Sequence, residues 1–235
     1  MTFIHAFQFI GDNAGLLWHK SLEHMAISAV AVGIALAIAL PIGLWLGHLH
    51  RGSFLAVNTA NIGRALPSLA VLAIGLSFLG IGKLNVVVAL VILAVPPILT
   101  NAYVAVDEVD TDAVEAARGM GMKPRELFAK VELPLAVPLT FAGIRTAAVY
   151  VVATATLAGF FGGGGLGDII SNQASYGLDG VVGAAIVVTV LALGTDLLLA
   201  LAQRLITPRG LRADDNEIFG AAEEYELTRT AAETA

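Results

Sequence analysis

A bundle of five membrane-spanning α-helices is what this 235-residue chain prescribes, on three grounds. Its composition is 57% hydrophobic and 14% charged, outside the shares usual in soluble domains. Its charge-free runs are long. Glu23 to Arg51, Lys83 to Asp107 and Arg145 to Asp168 each bracket an apolar run; crossing about 30 Å of hydrocarbon takes roughly 20 helical residues. Runs such as ISAVAVGIALAIALPIGL are apolar on every face and lack the period-two alternation of a barrel strand, so helices satisfy the backbone in lipid. The fold class is all-α and polytopic.

Residues 1–23 read as an extracellular N-terminal segment. They lack a basic stretch followed by a short apolar core and a small-residue cleavage site, so no removable signal peptide is expected. A transmembrane domain over 24–210 follows, with spans expected at about 24–47, 54–80, 84–106, 138–161 and 181–205. Pro41, Pro67, Pro96 and Pro97 lie inside or at the ends of these runs, and each withdraws a backbone donor and bends or interrupts its helix. Glycine and alanine, as in GIALAIALPIG, let neighbouring helices approach closely.

Basic residues set the orientation, because Lys and Arg in short loops stay cytoplasmic. Arg51 and Arg64, then Arg118, Lys123, Arg125, Lys130 and Arg145, then Arg204, Arg209, Arg212 and Arg229 fall on one side; Lys20 and Lys83 fall on the other. The N-terminus is therefore expected outside a prokaryotic plasma membrane and the C-terminus in the cytoplasm. The tail, 211–235, holds Asp214, Asp215, Glu217, Glu223, Glu224, Glu226 and Glu233 against Arg212 and Arg229. It is expected to be solvated and disordered, and its sign disfavours nucleic-acid binding. The absence of cysteine excludes disulfides, thiolate metal sites and cysteine nucleophiles. No metal site and no cofactor are expected.

A polar island at 107–134, DEVDTDAVEAARGMGMKPRELFAKVELP, interrupts the apolar pattern. Asp112 with Glu115 three positions on has capping-box spacing, so a short helix is expected to start near Asp112. Glu115 and Gly119 then share a face, and glycine where helicity favours alanine points to a close approach or a helix end. Lys123-Pro124-Arg125 restarts the helix, and Leu133-Pro134 is expected to stop it. The expected product is two short helices lying along the membrane.

Arg64 in the second expected span and Asp196 in the fifth are ionisable and both fall in the inner half. They form a candidate charge pair. The alternative is that Arg64 snorkels to the interface while Asp196 bonds backbone or hydroxyls. Beyond the fourth span, Gly162, Gly163, Gly164 and Gly165 cannot hold a helix cheaply, so an outer loop over 162–180 is expected, either a simple turn or a mobile outer gate.

Glu115-Ala116-Ala117, then Gly119, then Leu133-Pro134 resemble the EAA loop of permease subunits of ATP-binding cassette (ABC) importers. Arg64-Ala-Leu-Pro-Ser-Leu-Ala70, Glu115-Ala-Ala-Arg-Gly-Met-Gly121, Glu132-Leu-Pro-Leu135, Ala142-Gly-Ile-Arg-Thr146 and Gly163-Gly-Gly-Leu-Gly-Asp168 are similar to the subfamily that imports osmoprotectants such as glycine betaine, choline, carnitine and proline betaine. The resemblance covers about 20–210. It implies a type I importer permease fold and contact with cytoplasmic ATPase subunits, two per transporter, through Glu115, Ala116, Ala117, Arg118, Gly119 and Gly121. It also implies a second permease copy or paralogue, and a separate extracellular binding protein whose aromatic cage holds the quaternary ammonium. Substrate-contact residues in this chain are not implied.

ATP hydrolysis is expected in trans, since Gly82-Lys83-Leu84 lacks the glycine spacing and the Ser or Thr of a nucleotide loop. Other importers share the loop, so methionine and taurine stand as alternative solutes. A channel or secondary transporter is the rival from another class, and the EAA series weighs against it. An intramembrane enzyme fits less well. His5, His19, His24, His48 and His50 have no ligand spacing, and His48 and His50 are assigned to the inner interface.

Overall fold

The computed structural model describes residues 2–207, apart from the side chains at 2, 3 and 64. No strand occurs among the described residues. Helices α1 (Thr2–Asp12) and α2 (Ala14–His48) open the chain, followed by α3 (Ser53–Ala65), α4 (Ser68–Leu79) and α5 (Lys83–Asp107). Helices α6 (Thr111–Gly119) and α7 (Pro124–Leu127) form the polar island, and α8 (Leu133–Thr154), α9 (Gly167–Ser171) and α10 (Gln173–Ile206) complete the bundle. Among the described residues, four helical stretches are long and apolar enough to cross a membrane, and the bent pair α3 and α4 raises that to as many as five.

Helix α5 is the central post, packed between α2, α8 and α3. Its contact with α2 follows from a stripe of small residues four apart, Ala31, Ala35, Ala39, Gly43 and Gly47, all buried. Four-residue spacing keeps them on one face, and the missing side chains let the two backbones meet. A Cβ on Gly43 would stand 2.7 Å from the Leu99 carbonyl oxygen, and one on Gly47 2.6 Å from that of Tyr103. Gly143 of α8 lies as close to Asn101 and the Pro97 carbonyl, so α5 is gripped from both sides.

Four expectations need correction. The helix of the first span, expected from about 24, begins at Ala14, and α1 before it packs on α10. The helix can carry Lys20 and Glu23 because both are ion-paired. The span expected at 54–80 is broken at Leu66-Pro67 and turns by 94°. Leu66 is extended (φ −73°, ψ 113°), the conformation that proline imposes on its predecessor.

The third correction concerns Leu133-Pro134, which does not stop the island helix. A π-helical turn over Phe128–Glu132 carries α7 straight into α8, so Pro124–Phe161 is one continuous helical stretch. In that turn the Leu133 N–H bonds the Phe128 carbonyl, shifting the ladder by one residue just where Pro134 has no N–H to give. Last, the loop expected over 162–180 is largely helical, since α9 occupies 167–171 and α10 starts at Gln173 with a kink at Gly177. The acidic tail lies outside the described residues.

Candidate functional site

The polar island folds on a small core of its own. Val109, Val114, Ala117 and Leu127 are buried together, with Met122, Val131 and Leu135 packed against them. Asp110, not Asp112, caps α6, its carboxylate accepting from the Asp112 N–H at 2.9 Å. The Lys123 N–H bonds the Glu126 carboxylate at 3.2 Å, so α7 begins with its own first-turn acceptor. The foot is therefore a packed unit rather than a floppy loop.

Within that unit the expected docking residues divide by face. Glu115, Ala116, Arg118, Gly119 and Gly121 are exposed, whereas Ala117 turns inward against the Leu127 cluster. A Cβ added at Gly119 or Gly121 meets nothing within 4 Å. Gly121 has φ +83°, which favours glycine for local reasons. Gly119 is helical and unobstructed, so nothing inside this chain demands a glycine there.

Two polar ties join the foot to the spans, and neither was legible in the sequence. Glu132, with a side chain only 2% exposed, lies 2.5 Å from His48 Nδ1 at the end of α2. The His48 ring also packs on Phe128, centroid to centroid 5.0 Å. Beside it His50, in the left-handed region at φ +48°, approaches Asp107 at 3.0 Å, and Asp107 accepts from the Tyr103 hydroxyl at 3.0 Å. A charged residue bordering a span was the only available signal. Eighty-four positions separate His48 from Glu132, and no spacing rule links them.

The Asp196 carboxylate is held by Arg145. Arg145 Nε and Nη2 both bond Asp196, at 2.9–3.0 Å, and the side chain of Arg64 lies outside the described residues. Arg145 was counted with the basic residues of the island's exit and not weighed as a partner. With α8 running unbroken from Leu133, Arg145 stands about 18 Å along it, and Asp196 about 15 Å from the end of the antiparallel α10, at matching depth. Asp196→Ala is expected to cost about 2.5–3.5 kcal/mol by leaving a guanidinium unpaired in the bundle. Thermal melts in detergent check this, and Arg145→Asp with Asp196→Arg should recover most of the loss; a double variant no more stable than the singles contradicts it.

At the opposite end of α2 a second ion cluster binds the glycine-rich loop. Glu23 accepts from Lys83 at 2.7 Å and from the Gly165 N–H at 3.0 Å, and Lys20 bridges Glu23 to Asp168 at 2.5 Å. The Gly82 N–H bonds the Phe161 carbonyl at 2.9 Å, and a Cβ on Gly165 would press on His24. Gly162, Gly163, Gly164 and Gly165 are thus gathered against α2 and the start of α5. Residues 23 and 48 are about 37 Å apart along α2, so the foot and this loop occupy the two ends of the bundle.

Known proteins resemble this chain in sequence and fold. The family described as "Binding-protein-dependent transport system inner membrane component" matches residues 39–210. The choline transport system permease protein OpuBB of Bacillus subtilis is 42% identical over 209 residues, covering 88% of this chain and 96% of the relative. The glycine betaine/carnitine/choline transport system permease protein OpuCB of the same organism is 41% identical, over 87% of this chain and 94% of the relative. The MetNI methionine ABC transporter, solved in inward-facing conformations, shares the fold at a TM-score of 0.71 and 24% identity, over 84% of this chain and 99% of that one. This chain is a member of the family of binding-protein-dependent inner membrane transport components, the permease subunits of ABC importers.

Proposed function

We propose that this chain is the permease of an osmoprotectant importer, carrying choline, glycine betaine, carnitine and related quaternary amines into the cell. The observation that carries this reading is 42% identity to a choline permease across 88% of the chain, supported by 39% identity to a carnitine permease of Listeria monocytogenes. Likeness to a methionine transporter at 24% identity speaks for the fold and not for the solute. In this reading two copies, or this chain and a paralogue, surround one path, with two ATPase subunits inside and a binding protein outside. The foot faces the cytoplasm and the glycine-rich loop faces the binding protein.

Coupling then runs through packed structure. The exposed face of α6, with Glu115, Ala116, Arg118 and Gly119, sits in a groove of the ATPase. When ATP draws the two ATPases together the foot moves as a unit. Because α7 continues without a joint into α8, and Glu132 grips His48, that motion reaches α8 and α2 directly. The energy that turns the path outward comes from the difference between ATPase states, as any driven switch requires.

The test is uptake of labelled choline into proteoliposomes holding this chain and its cognate ATPase, with the cognate binding protein supplied. Saturable uptake that needs ATP, is blocked by excess glycine betaine or carnitine and is indifferent to methionine is expected. Choline uptake without ATP, or none under any condition, overturns the reading.

A further inference from the structure

A cavity of about 480 Å³ opens between α3, α5 and α8, within the range of roughly 300–1,000 Å³ typical of small-molecule sites. Gly63, Leu93, Thr100, Asn101, Thr146 and Tyr150 contribute to its wall, and among the described side chains no Lys, Arg, Asp or Glu does. We infer that this cavity is a transit site for the quaternary ammonium group, with the Tyr150 ring as its cation-binding face. The inference rests on the proposed function and assigns the residues that meet the solute inside the bundle.

The chemistry of the wall is electron-rich without being charged. The Thr100 hydroxyl donates to the Ala56 carbonyl at 3.1 Å and the Thr146 hydroxyl to that of Ala142 at 2.9 Å. Both hydroxyl protons are thereby spent, and what each oxygen offers a ligand is its lone pairs. Asn101 likewise commits an amide N–H to the Pro97 carbonyl at 2.8 Å. Pro97 has no N–H to give the Leu93 carbonyl, and both residues line the cavity.

A trimethylammonium group has no N–H to donate and spreads its charge over methyl groups. It is suited by an aromatic face and dispersed acceptors, not by a hydrogen-bonded carboxylate. Tyr150 supplies that face: its residue is 37% exposed, and it stands with Thr146 in both this cavity and the adjoining one, which Arg145 and Asp196 also line. The bidentate pairing of Arg145 with Asp196 offsets the Arg145 charge, which would otherwise repel the solute there. A single ring and neutral oxygens hold a cation weakly, which passage requires: a site must admit the solute and also release it.

Two variants test the inference in the complete transporter, with ATPase and binding protein present. Tyr150→Leu is expected to lower the choline uptake rate by about tenfold, and Tyr150→Phe, which keeps the ring, to restore it to within about twofold of wild type. The absence of native cysteine makes Thr146→Cys the sole thiol of this subunit. Trimethylammonium-ethyl methanethiosulfonate should label it faster than a neutral methanethiosulfonate of similar size, and excess choline should slow that labelling. Undiminished uptake by Tyr150→Leu, equal impairment of Tyr150→Phe, or labelling indifferent to both charge and choline would overturn the inference. Should Tyr150→Leu not assemble, the thiol experiment decides alone. Wild-type transporter that carries no quaternary amine would instead overturn the proposed function, before any variant is read.

Discussion

Gly119→Leu inserts and folds as the wild type does, yet loses ATP-dependent uptake by about tenfold or more, equivalent to a docking penalty above about 1.4 kcal/mol. The reasoning is local. A side chain at Gly119 meets nothing within 4 Å of its Cβ, and its backbone is helical, so leucine there raises helix propensity by up to about 1 kcal/mol instead of straining the foot. Whatever is lost must arise where this surface meets another protein. Melting temperature, co-purification of the ATPase and uptake separate the two: an unchanged melt with lost co-purification and uptake is expected. Normal uptake would mean that α6 does not present this face to a partner. Gly121 is a poorer probe, because φ +83° makes any side chain there costly in the free subunit as well.

His48→Ala is expected to destabilise the permease by about 1–3 kcal/mol, the usual cost of leaving a buried hydrogen-bonding group without its partner. Glu132 is almost wholly enclosed, and its carboxylate would be left facing Phe128 and the end of α2 without its imidazole partner. Replacing both residues, His48→Leu with Glu132→Leu, removes both polar groups together and should recover most of that loss. Detergent melts of the single and double variants check it. A double variant as unstable as His48→Ala would show that packing, not the His48–Glu132 hydrogen bond, holds the foot to α2.

The spans were largely legible because lipid imposes a simple rule: a helix that crosses it reads as a long uncharged run, and Lys83–Asp107 matches its run almost to the residue. Charge also misled. Glu23 marks the edge of the first apolar run in the sequence, but Lys20 and Glu23 find partners in Asp168 and Lys83, 60 and more positions away, which only the fold shows. Pro134 read as a stop because a proline normally breaks the ladder, and a π-turn was the unforeseen remedy. That misreading moved the start of the fourth span, and Arg145, counted among the cytoplasmic basic residues, was not weighed as the partner of Asp196.

The foot itself was found from its residue pattern, and its exposed face carries five of the six residues expected to dock. Ala117 was the exception, because the pattern does not say which alanine of a helix pair faces the core and Val114, three residues before it, does. The His48–Glu132 tie could not have been read in advance. It depends on α2 and the π-turn meeting in space, a consequence of the small-residue stripe that brings α2 onto α5.

The claim on which the rest depends is that α6 is the surface gripped by an external ATPase. Ala116→Cys places the only thiol of this subunit on the exposed face of that helix, and a short bifunctional reagent can report what lies within reach. In membranes containing the complete transporter, a covalent adduct between this chain and the ATPase is predicted, with a yield that changes when ATP or a non-hydrolysable analogue is added. A cysteine that joins no ATPase under any nucleotide condition, in membranes where choline uptake proceeds normally, would contradict it.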